Sequence, residues 1–255
     1  GARRWFSLRA RATGRLIEGR NMGGADDEEP LKLDQIQTDW SRLNEPAQFV
    51  LRYAAAIRSY LSAVLHDPVE VEEVTQEFML RVVKRGFTSA DPNNGRFRDY
   101  LKAALRNAAR THYRRASSMP PVVRAALDAV AAGLSAPEQA WLDEWRRCLL
   151  ERVWDALGYH ERRSPGNLAC TIMKLTLDHP DEDSAALAKR VKAAAGVSLR
   201  AAAFRKQLSR ARQLFAEFLV REVAATVRPG TREQIEDELA TLGFLHYVRD
   251  YLPAR

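Results

Sequence analysis

The chain has 255 residues, 46% of them apolar and 29% charged, with a formal net charge of +7 and two cysteines. That length accommodates two small domains, or one domain with long appendages, and the positive balance admits a polyanion partner. Two cysteines exclude a disulfide framework, and no apolar run approaches the ~18 residues of a membrane span, the longest candidate (125–134) being broken by Asp128.

Sparse glycine and rare β-branched runs predict an all-α fold. Residues 1–21 carry six arginines against Glu18 and lack the apolar core of a signal peptide. Their Arg-rich, acid-poor character mimics a transit peptide, while Met22 with the acidic run behind it looks like a natural start. Residues 1–31 are expected to be a disordered extension and the protein cytoplasmic.

Val50, Ala54, Ile57, Leu61 and Val64 then form a stripe of helical period. Asp67 is placed as an N-cap, Pro68 as the first helical residue and Glu70 as the closing member of a capping box. In this second helix Val71, Val74, Phe78 and Val82 face inward, and Glu70, Glu73 and Glu77 share the outer face beside Glu72. Acids at its start and bases at its end complement the macrodipole, which alone accounts for the pattern. A docking face becomes credible through the neighbouring elements.

Turn chemistry at 88–94 delivers Gly95-Arg96-Phe97-Arg98 and then a helix built around cations. Arg98, Lys102, Arg106, Arg110 and Arg114 recur every fourth residue, a spacing at which like charges repel and weaken an isolated helix. A polyanion that gathers the cations resolves that cost. Cations beside Phe97, Tyr100 and Tyr113 suit single-stranded DNA, where aromatic faces stack on unpaired bases for ~1–3 kcal/mol each. Any one of those aromatics can equally be a core residue.

Residues 117–138, with paired prolines at 120 and 121, read as a linker containing a short helix. Trp141, Trp145, Leu149, Val153 and Trp154 follow at core-like spacings. Asp181-Glu182-Asp183-Ser184 caps another helix, Gly196-Val197-Ser198 makes a turn, and a long helix runs from about Leu199, with Ser198 as its candidate cap. Helix, glycine-containing turn and helix form a helix-turn-helix pattern. Phe204, Leu208, Ala211 and Phe215 face inward there, leaving Arg205, Lys206, Ser209 and Arg210 outside, where they could enter a major groove. The tail from 227 to 255 is slightly acidic and either docks on the second domain or binds a regulator. Cys148, Cys170, His160 and His179 match no zinc spacing, so no metal or other cofactor is expected. Nothing resembles a phosphate loop or a nucleophile motif, so no enzyme is expected.

Across residues 38–226 the chain resembles bacterial RNA polymerase sigma factors of the extracytoplasmic-function type, especially the long ones typical of planctomycetes. The likeness rests on Glu70-Val71-Glu72-Glu73-Val74-Thr75-Gln76-Glu77, on Gly95-Arg96-Phe97-Arg98-Asp99-Tyr100-Leu101 leading into Arg106-Asn107, and on Arg205-Lys206-Gln207-Leu208-Ser209-Arg210-Ala211-Arg212, in that order. It implies two small helical domains on a flexible linker. Region 2 would span 32–116 and the linker 117–138, followed by region 4 with its helix-turn-helix at 139–226 and a C-terminal extension at 227–255.

It further implies that Glu70, Glu72, Glu73, Gln76 and Glu77 dock on the clamp helices of core RNA polymerase. The 88–96 loop would capture an unpaired base of the −10 promoter element. Arg96, Phe97, Arg98, Tyr100, Lys102, Arg106, Asn107 and Arg110 would hold that element. Region 4 would sit on the flap while Ser198, Arg205, Lys206, Ser209 and Arg210 read the −35 element. The sequence departs from the family in having Glu70 and Glu73 where aspartate is common, and Arg200-Ala201-Ala202-Ala203 where a threonine or serine cap is frequent. The regulator is left open among an anti-sigma factor, a kinase and self-inhibition by the termini. A two-domain helix-turn-helix repressor is the main rival, and an RNA-binding protein a lesser one.

Overall fold

The computed structural model describes residues 46–65, 67–85, 95–115, 119–131, 136–164, 166–228, 230–249 and 252. The extension expected at 1–31, residues 88–94 of the 88–96 loop expected to capture a base, and parts of the 117–138 linker lie outside them. The fold is all-α, with helices α1 (Pro46–Leu65), α2 (Pro68–Arg85), α3 (Phe97–Arg115), α4 (Pro121–Ala131), α5 (Ala136–Arg163), α6 (Ala169–Asp178), α7 (Ser184–Ala195), α8 (Ala201–Ala224), α9 (Arg232–Thr241) and α10 (Leu245–Val248). Two short strands, β1 (Gly95–Arg96) and β2 (Val227–Arg228), pair antiparallel, with Gly95 opposite Arg228 and Arg96 opposite Val227.

Local chemistry sets several boundaries. The Asp67 side chain accepts from the Val69 N–H at 2.8 Å, opening α2. The capping box expected from Glu70 is not made: the Asp67 N–H donates to the Leu65 carbonyl, and Glu70 takes the Tyr113 hydroxyl of α3 instead. Asp183 caps α7 by accepting from the N–H groups of Ala185 and Ala186, and Gly196 closes that helix at φ 72°, a left-handed conformation that glycine adopts without steric cost. Leu199 and Ser198 belong to the turn rather than to α8, which begins at Ala201. Its N-cap position falls on Arg200, which makes no side-chain cap.

The segment expected as a linker carries α4, and α5 then packs on α1 and, further along, on α8. A helix of 28 residues reaches ~42 Å, enough to serve both halves of the chain. Trp141 and Trp145, assigned above to the second domain, are fully buried in an aromatic cluster with residues of α1 and α3. Tyr53 stacks on Trp145 at 4.8 Å, Phe97 lies 5.6 Å from Tyr53, and Tyr60 meets Trp141 edge-on at 5.6 Å. Each such pair contributes ~0.5–1.5 kcal/mol beyond its buried area. The described residues of the two halves therefore share one continuous core, from Tyr53 to Val248. The seam is not fully satisfied: Tyr60 Oη, Trp141 Nε1 and Trp145 Nε1 are buried without a hydrogen-bond partner among the described residues, each costing ~1–3 kcal/mol.

Candidate nucleic-acid interface

The basic helix α3 is entered through Gly95, whose φ of 102° disfavours any other residue, and through the short β1–β2 pair. The Phe97 N–H extends that pairing by donating to the Thr226 carbonyl at 2.9 Å. Phe97 was expected to stack on a base, but its ring is fully buried among Tyr53, Tyr100 and Trp145. Tyr100 is half-buried beside it, its hydroxyl pKa raised by desolvation.

The cations of α3 meet different fates along its length. Arg98 was expected on the DNA-facing surface, yet it is 3% exposed. Its Nε donates to Glu238 Oε1 at 3.0 Å and its Nη2 to Oε2 at 2.9 Å, and Arg96 Nε reaches the same Oε2 at 3.1 Å. Burial alone would disfavour the charged guanidinium, but the hydrogen bonds and charge of Glu238 outweigh it and hold the Arg98 pKa above its ordinary value. Glu238 itself is 0% exposed and comes from α9, 140 positions along the chain.

One turn on, Lys102 Nζ donates to both oxygens of Glu138 on α5, at 2.8 and 3.0 Å. Arg106 Nε is buried with no hydrogen-bond partner among the described residues. It lies near Tyr60, whose hydroxyl is pushed up to about 12 by burial against the pull of Arg106.

The far end of α3 is open. Asn107 and Arg110 are exposed, and among the described residues Arg110 makes one loose ion pair, at 3.5 Å, with Asp128 of α4. Together with Thr111, Arg114, Met119 and Arg124 they line an open groove of about 490 Å³ between α3 and α4. Arg124, not singled out from the sequence, adds a third arginine to that groove. Its only signal was a cation inside the apolar stretch after the paired prolines.

On α2, Glu72, Glu73 and Gln76 are exposed as expected. Gln76 donates to Glu72, which also pairs with Arg58 at 3.2 Å, while Glu73 pairs with no described residue. Glu77 is held by Arg115 at 2.7 Å and Arg81 at 3.2 Å; these bonds outweigh desolvation and lower its pKa. Three large apolar side chains not expected from the sequence are exposed on the same helix: Val69, Leu80 and Val83. Positions 69, 73, 76, 80 and 83 alternate steps of four and three, the spacing of a seam that packs against another helix. That spacing is legible in the sequence, but the acids beside it carry the stronger signal.

On α8, Phe204 and Phe215 are buried, as are Ala211 and most of Leu208. Arg205, Lys206, Ser209 and Arg210 are exposed, as is Ser198 in the preceding turn. None of the three cations forms an ion pair with a described residue.

Among the described residues no helix is long and apolar enough to cross a membrane, and no cluster of metal-ligating side chains occurs. Cys148 and Cys170 are free and buried, and burial pushes the Cys148 thiol up to about 12.

Residues 49–119 match the family model described as Sigma-70 region 2, a stretch that takes in most of α1, all of α2, β1 and α3, and the approach to α4. Searches of curated proteins and of solved structures returned no match.

Proposed function

We propose that this chain is an alternative sigma factor of the extracytoplasmic-function type, which binds core RNA polymerase and carries promoter recognition into it. The observation that carries the reading is the Sigma-70 region 2 match over 49–119, which coincides with the two surfaces of opposite character on α2 and α3. The exposed seam of α2, apolar at Val69, Leu80 and Val83 and acidic at Glu72 and Glu73, suits a helical partner with basic residues at its rim. The clamp helices of the largest polymerase subunit are that partner in this reading. The arginine groove between α3 and α4 would follow the −10 backbone, with Arg96, Arg98 and Lys102 joining it when their carboxylate partners withdraw.

Residues 139–226 act as region 4 in this account, with α7, the turn at Gly196 and α8 serving as the helix-turn-helix. Arg205, Lys206, Ser209 and Arg210 would enter the −35 major groove, where arginine and lysine read guanine edges for ~1–3 kcal/mol per good bidentate contact. Promoter opening then needs no covalent chemistry. Binding energy gained by a captured base offsets an unstacking cost of a few kcal/mol, as for any ligand that prefers one of two states.

One observation favours a second reading, a helix-turn-helix regulator independent of polymerase: Arg205, Lys206 and Arg210 of α8 are exposed while the first half of α3 is closed. Native-gel binding to purified core polymerase without DNA separates the two. A sigma factor forms a stable complex with core; a regulator of the second kind binds duplex and leaves core unshifted.

A further inference from the structure

We infer that the C-terminal segment built from β2, α9 and α10 is a detachable clasp, in which the Glu238 carboxylate holds the place of a nucleic-acid phosphate on Arg96 and Arg98. The inference rests on the sigma reading of α3. Two guanidinium groups converge on one buried oxyanion, and the planar fork of arginine bonds a phosphate with the same geometry as a carboxylate. A second carboxylate, Glu138, occupies Lys102 one helical turn away, ~6 Å along the axis. Two anions spaced along one helix face reproduce a short stretch of polyanion.

The way the clasp is attached points to exchange rather than to permanent burial. On the α3 side it is held by polar contacts: the Glu238 ion pairs, the two-residue strand pair, and the Phe97 N–H on Thr226. On the other side its anchors are apolar, with Leu239, Leu242, Phe244 and Val248 fully buried and both helices packed on α8. Arg146 of α5 adds hydrogen bonds to the carbonyls of Leu242 and Thr241. The clasp therefore belongs to the second half of the molecule, and the surface it covers belongs to the first.

A buried ion pair gains little over apolar packing once its desolvation is counted, whereas removing one partner strands the other. Glu238 can leave only if another anion takes its place. A single strand of DNA supplies one, so the clasp admits a phosphate backbone and resists water. In the closed form Arg98 is buried and Arg96, though a third exposed, is paired with Glu238, and apparent affinity is reduced by the fraction of molecules that are open.

The test uses the full chain, a fluorescein-labelled single-stranded DNA oligonucleotide and fluorescence anisotropy across a salt series. Glu238→Gln keeps the shape and removes the charge. It is expected to bind roughly tenfold tighter than the unaltered chain and with a steeper salt dependence, equivalent to about one further phosphate neutralised. Adding Arg96→Ala and Arg98→Ala should abolish the gain. Unchanged affinity with intact helical circular dichroism overturns the inference, as does a gain that survives loss of both arginines. Should Glu238→Gln lose its helical signal, Glu238→Asp, which keeps the charge but shortens its reach, must show a smaller gain in the same direction; affinity equal to the unaltered chain then overturns it. Polymerase binding is read separately on the same variants. Failure there, with the oligonucleotide result intact, sinks the sigma reading and spares the clasp.

Discussion

Helices α3 and α8 carry the same kind of signal, cations at helical spacing on one face and an apolar stripe on the other, yet the structure disposes of them in opposite ways. In the first half of α3 the cations are matched by carboxylates supplied from α5 and α9, and Arg98 is as buried as a core leucine. In α8 the corresponding residues, Arg205, Lys206 and Arg210, stand in solvent. Periodicity reports which face a residue occupies but not what comes to lie on that face. A chain can satisfy a basic helix internally with acids placed far away in sequence, and those cations can then meet another anion only when the acids are displaced.

The largest effect that sharpens this contrast concerns the seam covering α3. Trp145→Ala should cost ~3–5 kcal/mol in urea unfolding, because its ring stacks on Tyr53 and touches Phe97 from across the two halves. A loss below ~1 kcal/mol, within the range of an ordinary surface change, would show that the halves do not share a core. Next comes the acidic seam of α2. Glu72→Arg with Glu73→Arg should weaken core polymerase binding by ~2–5 kcal/mol by setting like charges against the partner, with the helical signal unchanged. Undiminished affinity on a native gel would remove α2 from the interface.

Replacing Arg205 and Arg210 with alanine should lower duplex affinity and flatten its salt slope by ~0.9 for each phosphate left without its cation. Were only promoter melting affected, with duplex binding intact, the open face of α8 would not be a −35 reader. The smallest effect at neutral pH is expected for Tyr60→Phe, which removes a buried hydroxyl without a hydrogen-bond partner among the described residues and should raise stability by ~1–3 kcal/mol, the cost of leaving that group unsatisfied. Its signature is alkaline. The folded pKa of Tyr60 is raised to about 12, above the ordinary ~10 of tyrosine, so its contribution is fully present below pH ~10 and lost as pH rises towards the folded value. The phenylalanine variant should lose less stability than the unaltered chain between those limits, measured by urea midpoint against pH. Identical profiles would deny that Tyr60 titrates within the seam.

Much of the fold was legible because it depends on local chemistry. Asp67 and Asp183 cap where the sequence places them, and Phe204, Ala211 and Phe215 face inward at their spacing. The failures share one cause, competition from distant residues. Glu70 leaves its capping box for the Tyr113 hydroxyl, a partner 43 positions away. Phe97 has the chemistry of a stacking platform, but Tyr53 and Trp145 offer it a core. Arg98 looks like a phosphate ligand and behaves as one, towards a carboxylate. The acidic balance of the tail is visible in the sequence, yet nothing local aims Glu238 at Arg98. Ser198 fell short for a local reason: the turn after Gly196 runs on through Arg200, leaving the serine outside the cap position.

Run-off transcription with purified bacterial core polymerase on a promoter library, with and without the chain, tests the central claim most directly. Transcripts that need both the polymerase and this protein are expected, starting at promoters that share two elements, one read by α8 and one by α3. No transcript and no core binding, from a folded chain that still binds duplex DNA, would contradict it.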